Sequence, residues 1–206
     1  MLEKVEQDPN RRWTDADFRA AFKNWFSEPP AKSKSANAPL LLNRILTDLG
    51  PMVVAASDQS IVLLEFADRR MLETQLKRVQ KHFKTVFASG KNDVIEQCES
   101  ELKQYFAGTL KEFMVPVESP GTEFQTSVWS QLCRIPYGKT TSYERIARAI
   151  GRKGASRAIG TANGANRLAI IIPCHRLIRS DGSISGYGGR VWRKKWLLDH
   201  EQSTLI

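Results

Sequence analysis

Between Leu40 and Phe66 the chain offers three extended apolar runs in close succession, and this narrows the available folds more than any other feature. Segments near 42–47 and 52–56 read as strands, with Gly50-Pro51 as the turn between them. SIVLLEF, residues 60–66, is the clearest strand. Two amphipathic segments follow. ADRRMLETQLKRVQKHF places Met71, Leu72, Leu76, Val79 and Phe83 on one helical side, and NDVIEQCESELKQYFAG does the same with Val94, Ile95, Cys98, Leu102, Tyr105 and Phe106 before Gly108 ends it. KTVFASG is a short strand between them, and EFMVPVES is another extended piece. Strands followed by helices that can cover them make residues 39–118 a small domain of an α+β protein.

The flanks differ in kind. WTDADFRAAFKNWF (13–26) has helical spacing, with Phe18, Ala21, Phe22, Trp25 and Phe26 on one face and Asp15 or Thr14 as cap. SEPPAKSKSANAP then reads as a linker, so residues 1–38 are expected to be an appendage outside the main core. SPGT (119–122) marks a boundary, and 119–206 forms a second domain. EFQTSVWSQLCRIP is a helix with Phe124, Val128, Leu132 and Ile135 inward and Cys133 beside that stripe. In TSYERIARAIG, Thr141 and Glu144 have capping-box spacing, Tyr143, Ile146, Ala147 and Ile150 share a face, and Gly151 stops the helix. ASRAIGTANGAN supplies a second short helix, and the two make a helix-turn-helix.

Charge points to a partner for this region. Lys+Arg number 31 against 22 Asp+Glu, a formal net charge of +9, which suits a polyanion or simply a basic surface. Lys139, Arg145, Arg148, Arg152, Lys153, Arg157 and Arg167 fall in one stretch whose only acid is Glu144. Such a stripe would bind phosphates in a salt-dependent way. The second helix is rich in Ala and Gly (Ala158, Gly160, Ala162, Gly164), a composition that weakens a helix but lets its backbone approach a groove. Arg157 stands among these short side chains and can reach beyond them, as a solvated arginine or into a base stack.

Other classes are disfavoured. The amino terminus has no basic-then-apolar secretory pattern, and no apolar run approaches the ~20 residues of a membrane helix. Three widely spaced cysteines (Cys98, Cys133, Cys174) without CxxC suit neither a disulfide framework nor a zinc site, and fit a reducing compartment. The histidines His82, His175 and His200 do not cluster as zinc ligands. Cys98 and Cys133 read as packing residues.

Cys174 is different. The apolar run Leu168–Ile172 reads as a buried strand that ends at Pro173 and delivers Cys174, His175 and Arg176 to one place. A thiol becomes a nucleophile when a base takes its proton. His175 is adjacent, but neighbours on a strand point to opposite faces, so either the chain turns there or a water links the pair. The imidazole needs an acid to orient it, and VWRKKWLLDHEQ offers Asp199 or Glu201. A purely structural Cys-His pair remains the alternative.

NRLAIIIPCHRLI, GSISGYGGR, WLLDHE, IPYGKTTSYERIA and SRAIGTANGAN together resemble the O6-alkylguanine-DNA alkyltransferase family. The resemblance is close over 120–202 and rests only on element order over 40–118. It implies an α+β architecture: a ribonuclease-H-like N-terminal domain and a winged helix-turn-helix C-terminal domain. It implies that Cys174 accepts the alkyl group once and irreversibly, that His175 acts through a water, and that Glu201 orients His175. Asn166 would link the recognition helix to the active site, and Tyr143 would assist the departing guanine. Arg157 would fill the space of the flipped nucleotide, with Ala158 and Gly160 at the DNA-binding helix. Gly186–Gly189, with Tyr187 and Gly188, would form a lid, and Lys194 would lie near the pocket. The implied substrate is double-stranded DNA carrying O6-alkylguanine, with O4-alkylthymine second. A cytoplasmic monomer of bacterial type, with no metal or organic cofactor and no membrane partner, is expected. DFRAAFKNWFSEPPAK also resembles the closing helix of AraC-type domains found in Ada-type relatives. A non-catalytic DNA-binding regulator and a thiol hydrolase are the rival readings.

Overall fold

The three apolar runs form neighbouring strands of one sheet. The computed structural model describes residues 14–26 and 38–205; residues 27–37 of the stretch read as a linker lie outside the described residues. The chain divides into two compact units, Met1–Glu118 and Ser119–Ile206. Helices and a mostly antiparallel sheet are mixed along the chain, in keeping with an α+β fold.

In the first unit β1 (Leu40–Thr47) pairs antiparallel with β2 (Gly50–Ala56), and Thr47 Oγ1 donates to the Gly50 carbonyl across the tight turn. β2 pairs antiparallel with β3 (Ile61–Phe66), β1 pairs parallel with β4 (Phe87–Ser89), and the order is β3-β2-β1-β4. Every residue of β2 and β3 is buried, which explains why their sequences run continuously apolar rather than alternating.

α1 (Asp15–Phe22) starts at a capping box between Thr14 and Asp17. It is not an appendage. Phe18 and Phe22 are 2% and 1% exposed, their rings stack at 4.8 Å, and they share a core with Leu40, Leu42, Val53, Leu76, Val79 and Phe87. A helix with two phenylalanines one turn apart cannot leave them in water when an apolar sheet face lies within reach.

α2 (Leu72–Phe83) begins later than its periodicity suggests, because residues 67–71 turn while the buried Arg69 guanidinium pairs with the buried Glu65 carboxylate. α3 (Asp93–Phe106) is capped by Asn92 and packs Ile95, Cys98, Leu102 and Tyr105 inward. Residues 112–119, read as an extended piece, form no ladder beyond a single bridge at Val117. Glu101 accepts hydrogen bonds from the backbone of Met114 and Val115 at 2.9 and 3.0 Å, doing the work of a ladder, and only Val117 bridges to Ile61.

The second unit opens with α4 (Glu123–Cys133), capped by Thr122 and Gln125. β5 (Thr141–Ser142), α5 (Tyr143–Ala149) and α6 (Ser156–Gly164) follow, and α5 and α6 form the helix-turn-helix. Ser142, not Thr141, caps α5: its side chain accepts from Arg145 N at 3.2 Å. Thr141 is drawn instead into pairing with β6 (Leu177–Ile178), and Glu144 binds Arg148 and Ser156. The expected wing is reduced to this two-residue parallel pairing. α7 (Val191–Ser203) closes the unit. Among the described residues no helix is long and apolar enough to cross a membrane.

If α1 belongs to the core, Phe22→Ala lowers the stability of the first unit by about 3–5 kcal/mol. Urea unfolding of the full chain, followed by tryptophan fluorescence, measures this; a change below about 0.5 kcal/mol would show that the helix is not docked.

Candidate active site

Residues 168–172 form a folded turn rather than the expected strand. Ile171 N donates to Ala169 O at 2.9 Å around Ile170, whose φ is +72°, and Ile172 N donates to Leu168 O at 2.9 Å. Cys174 N donates to Ile172 O at 2.7 Å around Pro173, whose φ is −77° and ψ is 60°. The chain therefore makes a γ-type turn at Ile170 and an inverse γ-turn at Pro173. A left-handed φ on a β-branched residue costs on the order of 1–3 kcal/mol and needs outside support. Asn166 supplies it. Its amide, 1% exposed, donates to Ile172 O at 3.0 Å and accepts from Leu168 N at 3.0 Å. Asn163 of α6 also reaches Cys174 O at 3.4 Å. These bonds satisfy the buried backbone that strand pairing would otherwise serve.

Cys174, His175 and Arg176 then form a single 3-10 turn, so adjacent side chains need not oppose one another. Cys174 is 6% exposed and His175 is fully buried. His175 Nε2 lies 2.8 Å from Glu201 Oε1. Arg176 Nε and Nη2 reach Glu201 at 2.9 Å each, and Gly138 N donates to Glu201 Oε2 at 3.0 Å. Gly138 is required: its φ is +71°, and a Cβ there would stand 3.0 Å from the Glu201 carbonyl and closer still to Leu205. The Arg176 guanidinium is itself held by Ile135 O at 2.6 Å and lies over the Tyr137 ring. Of the two orienters considered, Glu201 is the partner; Asp199 is exposed on α7.

The electrostatics follow. Burial would raise the Glu201 carboxyl, but the hydrogen bonds and charge from His175 and Arg176 outweigh it and hold the group well below the usual carboxylate range. Burial also lowers the His175 pKa, and Glu201 only partly opposes that. The pair is thus a neutral imidazole beside an ionised carboxylate. The carboxylate fixes the tautomer: Nε2 carries the hydrogen and Nδ1 keeps the basic lone pair. Nδ1 is buried and has no hydrogen-bond partner among the described protein atoms.

A second network lies beside the first. Lys194 of α7 is buried, donates to Leu177 O, and donates to Ser185 Oγ at 2.9 Å. Ser185 Oγ is 2.6 Å from the Tyr143 hydroxyl. Burial pulls the Lys194 pKa down to about 8, while Cys174 opposes the shift and Arg179 adds to it.

The remaining residues singled out in the sequence lie elsewhere. Arg157 and Ala158 are exposed on α6, Gly160 sits 3.7 Å (by a notional Cβ) from the Tyr143 ring, and Gly188 is exposed with half-buried Tyr187 in the segment before α7. Arg167, counted with the basic stripe, is buried. Cys133 is exposed at the end of α4, not packed, whereas Cys98 is buried and its thiol is pushed up to about 12 by burial and by Glu101 and Glu99. Arg176 and Ser185 were not singled out as working residues. The motif displays Arg176, but only the fold shows that its charge serves Glu201; Ser185 carries no sequence signal beyond lying near the glycines.

Two family descriptions match the chain: "6-O-methylguanine DNA methyltransferase, ribonuclease-like domain" over residues 44–119, and the DNA binding domain of the same family over 123–203. The chain belongs to the 6-O-methylguanine DNA methyltransferase family. It is 43% identical over 155 residues to a methylated-DNA–protein-cysteine methyltransferase of Mycobacterium tuberculosis, covering 75% of this chain and 88% of the relative. The Shigella flexneri protein of that name is 36% identical over 172 residues, 81% of this chain and 98% of the relative. The crystal structure of Mycobacterium tuberculosis OGT in complex with DNA superposes with a TM-score of 0.68 at 38% identity, over 79% of this chain and 93% of that one. The methyltransferase family thus accounts for both units of the fold.

The buried pair makes stability depend on pH with a definite sign. His175 is neutral in the fold, whereas in the unfolded chain it protonates near its ordinary value of 6.5; Glu201 is ionised in the fold below the pH at which it would otherwise protonate. Both effects favour unfolding as pH falls. Urea midpoints should drop between pH 7 and pH 5, and His175→Gln should flatten that slope; an unchanged slope would place the sensitivity elsewhere.

Proposed function

We propose that this methyltransferase-family chain repairs DNA by direct reversal, moving the alkyl group of O6-alkylguanine onto its own Cys174. The observation that carries the reading is the buried Cys174–His175–Glu201 arrangement, with the thiol on a turn too constrained to serve packing alone. With Nε2 held by Glu201, Nδ1 is the basic atom of His175, and a water between it and the sulfur would carry the thiol proton. The thiolate attacks the alkyl carbon, the C–O6 bond breaks, and its electron pair passes to guanine. A thioether remains, which water does not readily cleave, so each molecule acts once.

The target oxygen is hidden in a duplex, so the nucleotide must be extruded. Arg157, long among short neighbours on α6, suits the place the base leaves, and Ala158 and Gly160 keep that helix slim. Lys139, Arg145, Arg152 and Lys153 are exposed and suit phosphate contacts. Gly186–Gly189, with Tyr187 and Gly188, would close over the base, Lys194 would stand near it, Tyr143 would support the departing guanine, and Asn166 would hold the reactive turn. Double-stranded DNA is the proposed partner, with O4-alkylthymine a second substrate and a monomer in the bacterial cytoplasm the proposed working form.

Incubation of the full chain with duplex DNA containing O6-methylguanine should add one methyl group to the peptide holding Cys174, read by intact and peptide mass. Cys174→Ser should take up none while still binding DNA; methyl transfer by that variant would refute the acceptor. Arg157→Ala should slow repair of duplex DNA by about tenfold or more while leaving reaction with free O6-benzylguanine nearly unchanged. Equal losses on both substrates would remove Arg157 from extrusion.

A further inference from the structure

The helix-turn-helix accounts for the basic residues of the second unit, but a separate cationic cluster stands on α2 in the first. Arg70, Lys77, Arg78, Lys81 and Lys84 are exposed, and Glu73 is the only acid between Arg69 and Lys84. None of these five cations makes an ion pair among the described residues. Elsewhere in the unit Arg44, Arg69, Lys91 and Lys103 each hold a carboxylate.

The arrangement works against the helix that carries it. Lys77 and Lys81 stand one turn apart and Lys84 follows one turn later, so three cations share a row. Like charges at that spacing destabilise a helix. The helix dipole favours Lys81 and Lys84 near the C-terminus. It gives nothing to Lys77 and Arg78 in the middle of α2, and it opposes Arg70 just before the N-terminus. Leu72, Leu76 and Val79 fill the core from the other side of α2, so the cationic row faces water.

The row also narrows the kind of partner. From Lys77 to Lys84 it runs about 10 Å at helical rise, a length over which duplex DNA carries about six phosphate charges. A lipid surface suits it less. A helix lying on a membrane buries an apolar face there, and the apolar face of α2 is already occupied by the sheet and by α1.

We propose that the exposed face of α2 is a second DNA-contact surface, at which Lys77, Arg78 and Lys81 bind backbone phosphates without reference to sequence or damage. This rests on the reading of DNA as the partner. The surface belongs to the unit that carries no reactive thiol, so it supplies residence on undamaged duplex rather than chemistry. Arg70 and Lys84 add to its field, and no base is read by it.

The test uses the full chain as wild type, as Lys77→Gln/Arg78→Gln/Lys81→Gln, and as Lys91→Gln/Lys103→Gln/Lys111→Gln, which removes the same charge in and around α3. Affinity for undamaged duplex is read by anisotropy of labelled DNA over a salt series. Loss of the α2 cations should reduce the slope of log affinity against log salt by about 2–3, with roughly tenfold or more lost at low salt. The α3 variant should keep the wild-type slope, and Lys77→Arg with Lys81→Arg should keep it too. Reaction of Cys174 with free O6-benzylguanine should be the same in all four proteins. The urea midpoint of the α2 variant should not fall, since like charges one turn apart have been removed. An unchanged slope in the α2 variant would overturn the surface, and equal reductions in the α2 and α3 variants would reduce it to net charge. Polyglutamate that competes as well as duplex at matched charge would also overturn it, by assigning the face to an acidic protein. A wild type that binds undamaged duplex through α2 yet takes no methyl group from O6-methylguanine DNA would refute the repair reading and leave this surface standing.

Discussion

The second unit is organised around one buried carboxylate. Glu201 is wholly removed from water, and an ion so placed costs several kcal/mol unless its oxygens are filled. They are filled from three directions: a two-nitrogen contact from Arg176, a ring nitrogen of His175, and the amide of Gly138. The partners come from two stretches of chain, the Cys174–Arg176 turn and the turn that holds Gly138. The carboxylate thus joins α7, the turn before α5 and the Cys174–Arg176 turn, and the same contacts decide which imidazole nitrogen is basic. Arg176 keeps the network in charge balance while His175 stays neutral and available as a base.

A second constraint sets where the sulfur sits. The apolar run before Cys174 is buried, yet it makes turns instead of a ladder, and one of them holds Ile170 in a left-handed conformation. Such a backbone persists only where side chains replace the missing backbone partners, and Asn166 does so with both ends of its amide. Because Asn166 directly follows α6, and Asn163 within α6 also bonds Cys174 O, the helix and the thiol share one rigid support. This suits chemistry that requires the nucleophile to be aligned before the substrate arrives.

Legibility in the sequence followed the range of each interaction. The β1–β3 runs and the amphipathic stripes of α2 and α3 were readable because periodicity and apolar composition are local. The 168–172 turn was not: five apolar residues satisfy a strand pattern, and the amide that diverts them acts through two long-range backbone bonds. Thr141 matched a capping box by spacing, but its pairing with Leu177 moved the cap to Ser142. Phe18 and Phe22 gave α1 away as amphipathic without saying which apolar face would cover it. In the site, Cys174, His175 and Glu201 were nameable through a resemblance; from the residues alone Asp199 and Glu201 were equivalent, because the register of α7 decides which of them is buried. Ser185 was invisible, since a lone serine among glycines has no pattern.

The small residues of α6 answer to two demands that the sequence merges into one. From composition, Ala158, Gly160, Ala162 and Gly164 all suit close approach by an outside partner. The fold separates them. Ala158 and Gly164 are on the exposed side with Arg157, and a Cβ at Gly164 would meet nothing within 4 Å. Gly160 and Ala162 face inward. A Cβ at position 160 would touch the Tyr143 ring at 3.7 Å, and the Ala162 carbonyl accepts from the Trp129 indole at 2.9 Å. Part of the helix-propensity cost of α6 is therefore offset inside the protein, by bringing the Tyr143 ring and α4 close to its axis. Only the outer pair remains to be explained by a groove. The slender inner face also lets the Tyr143 hydroxyl stand at the end of a hydrogen-bond chain while its ring rests on the helix that would enter DNA.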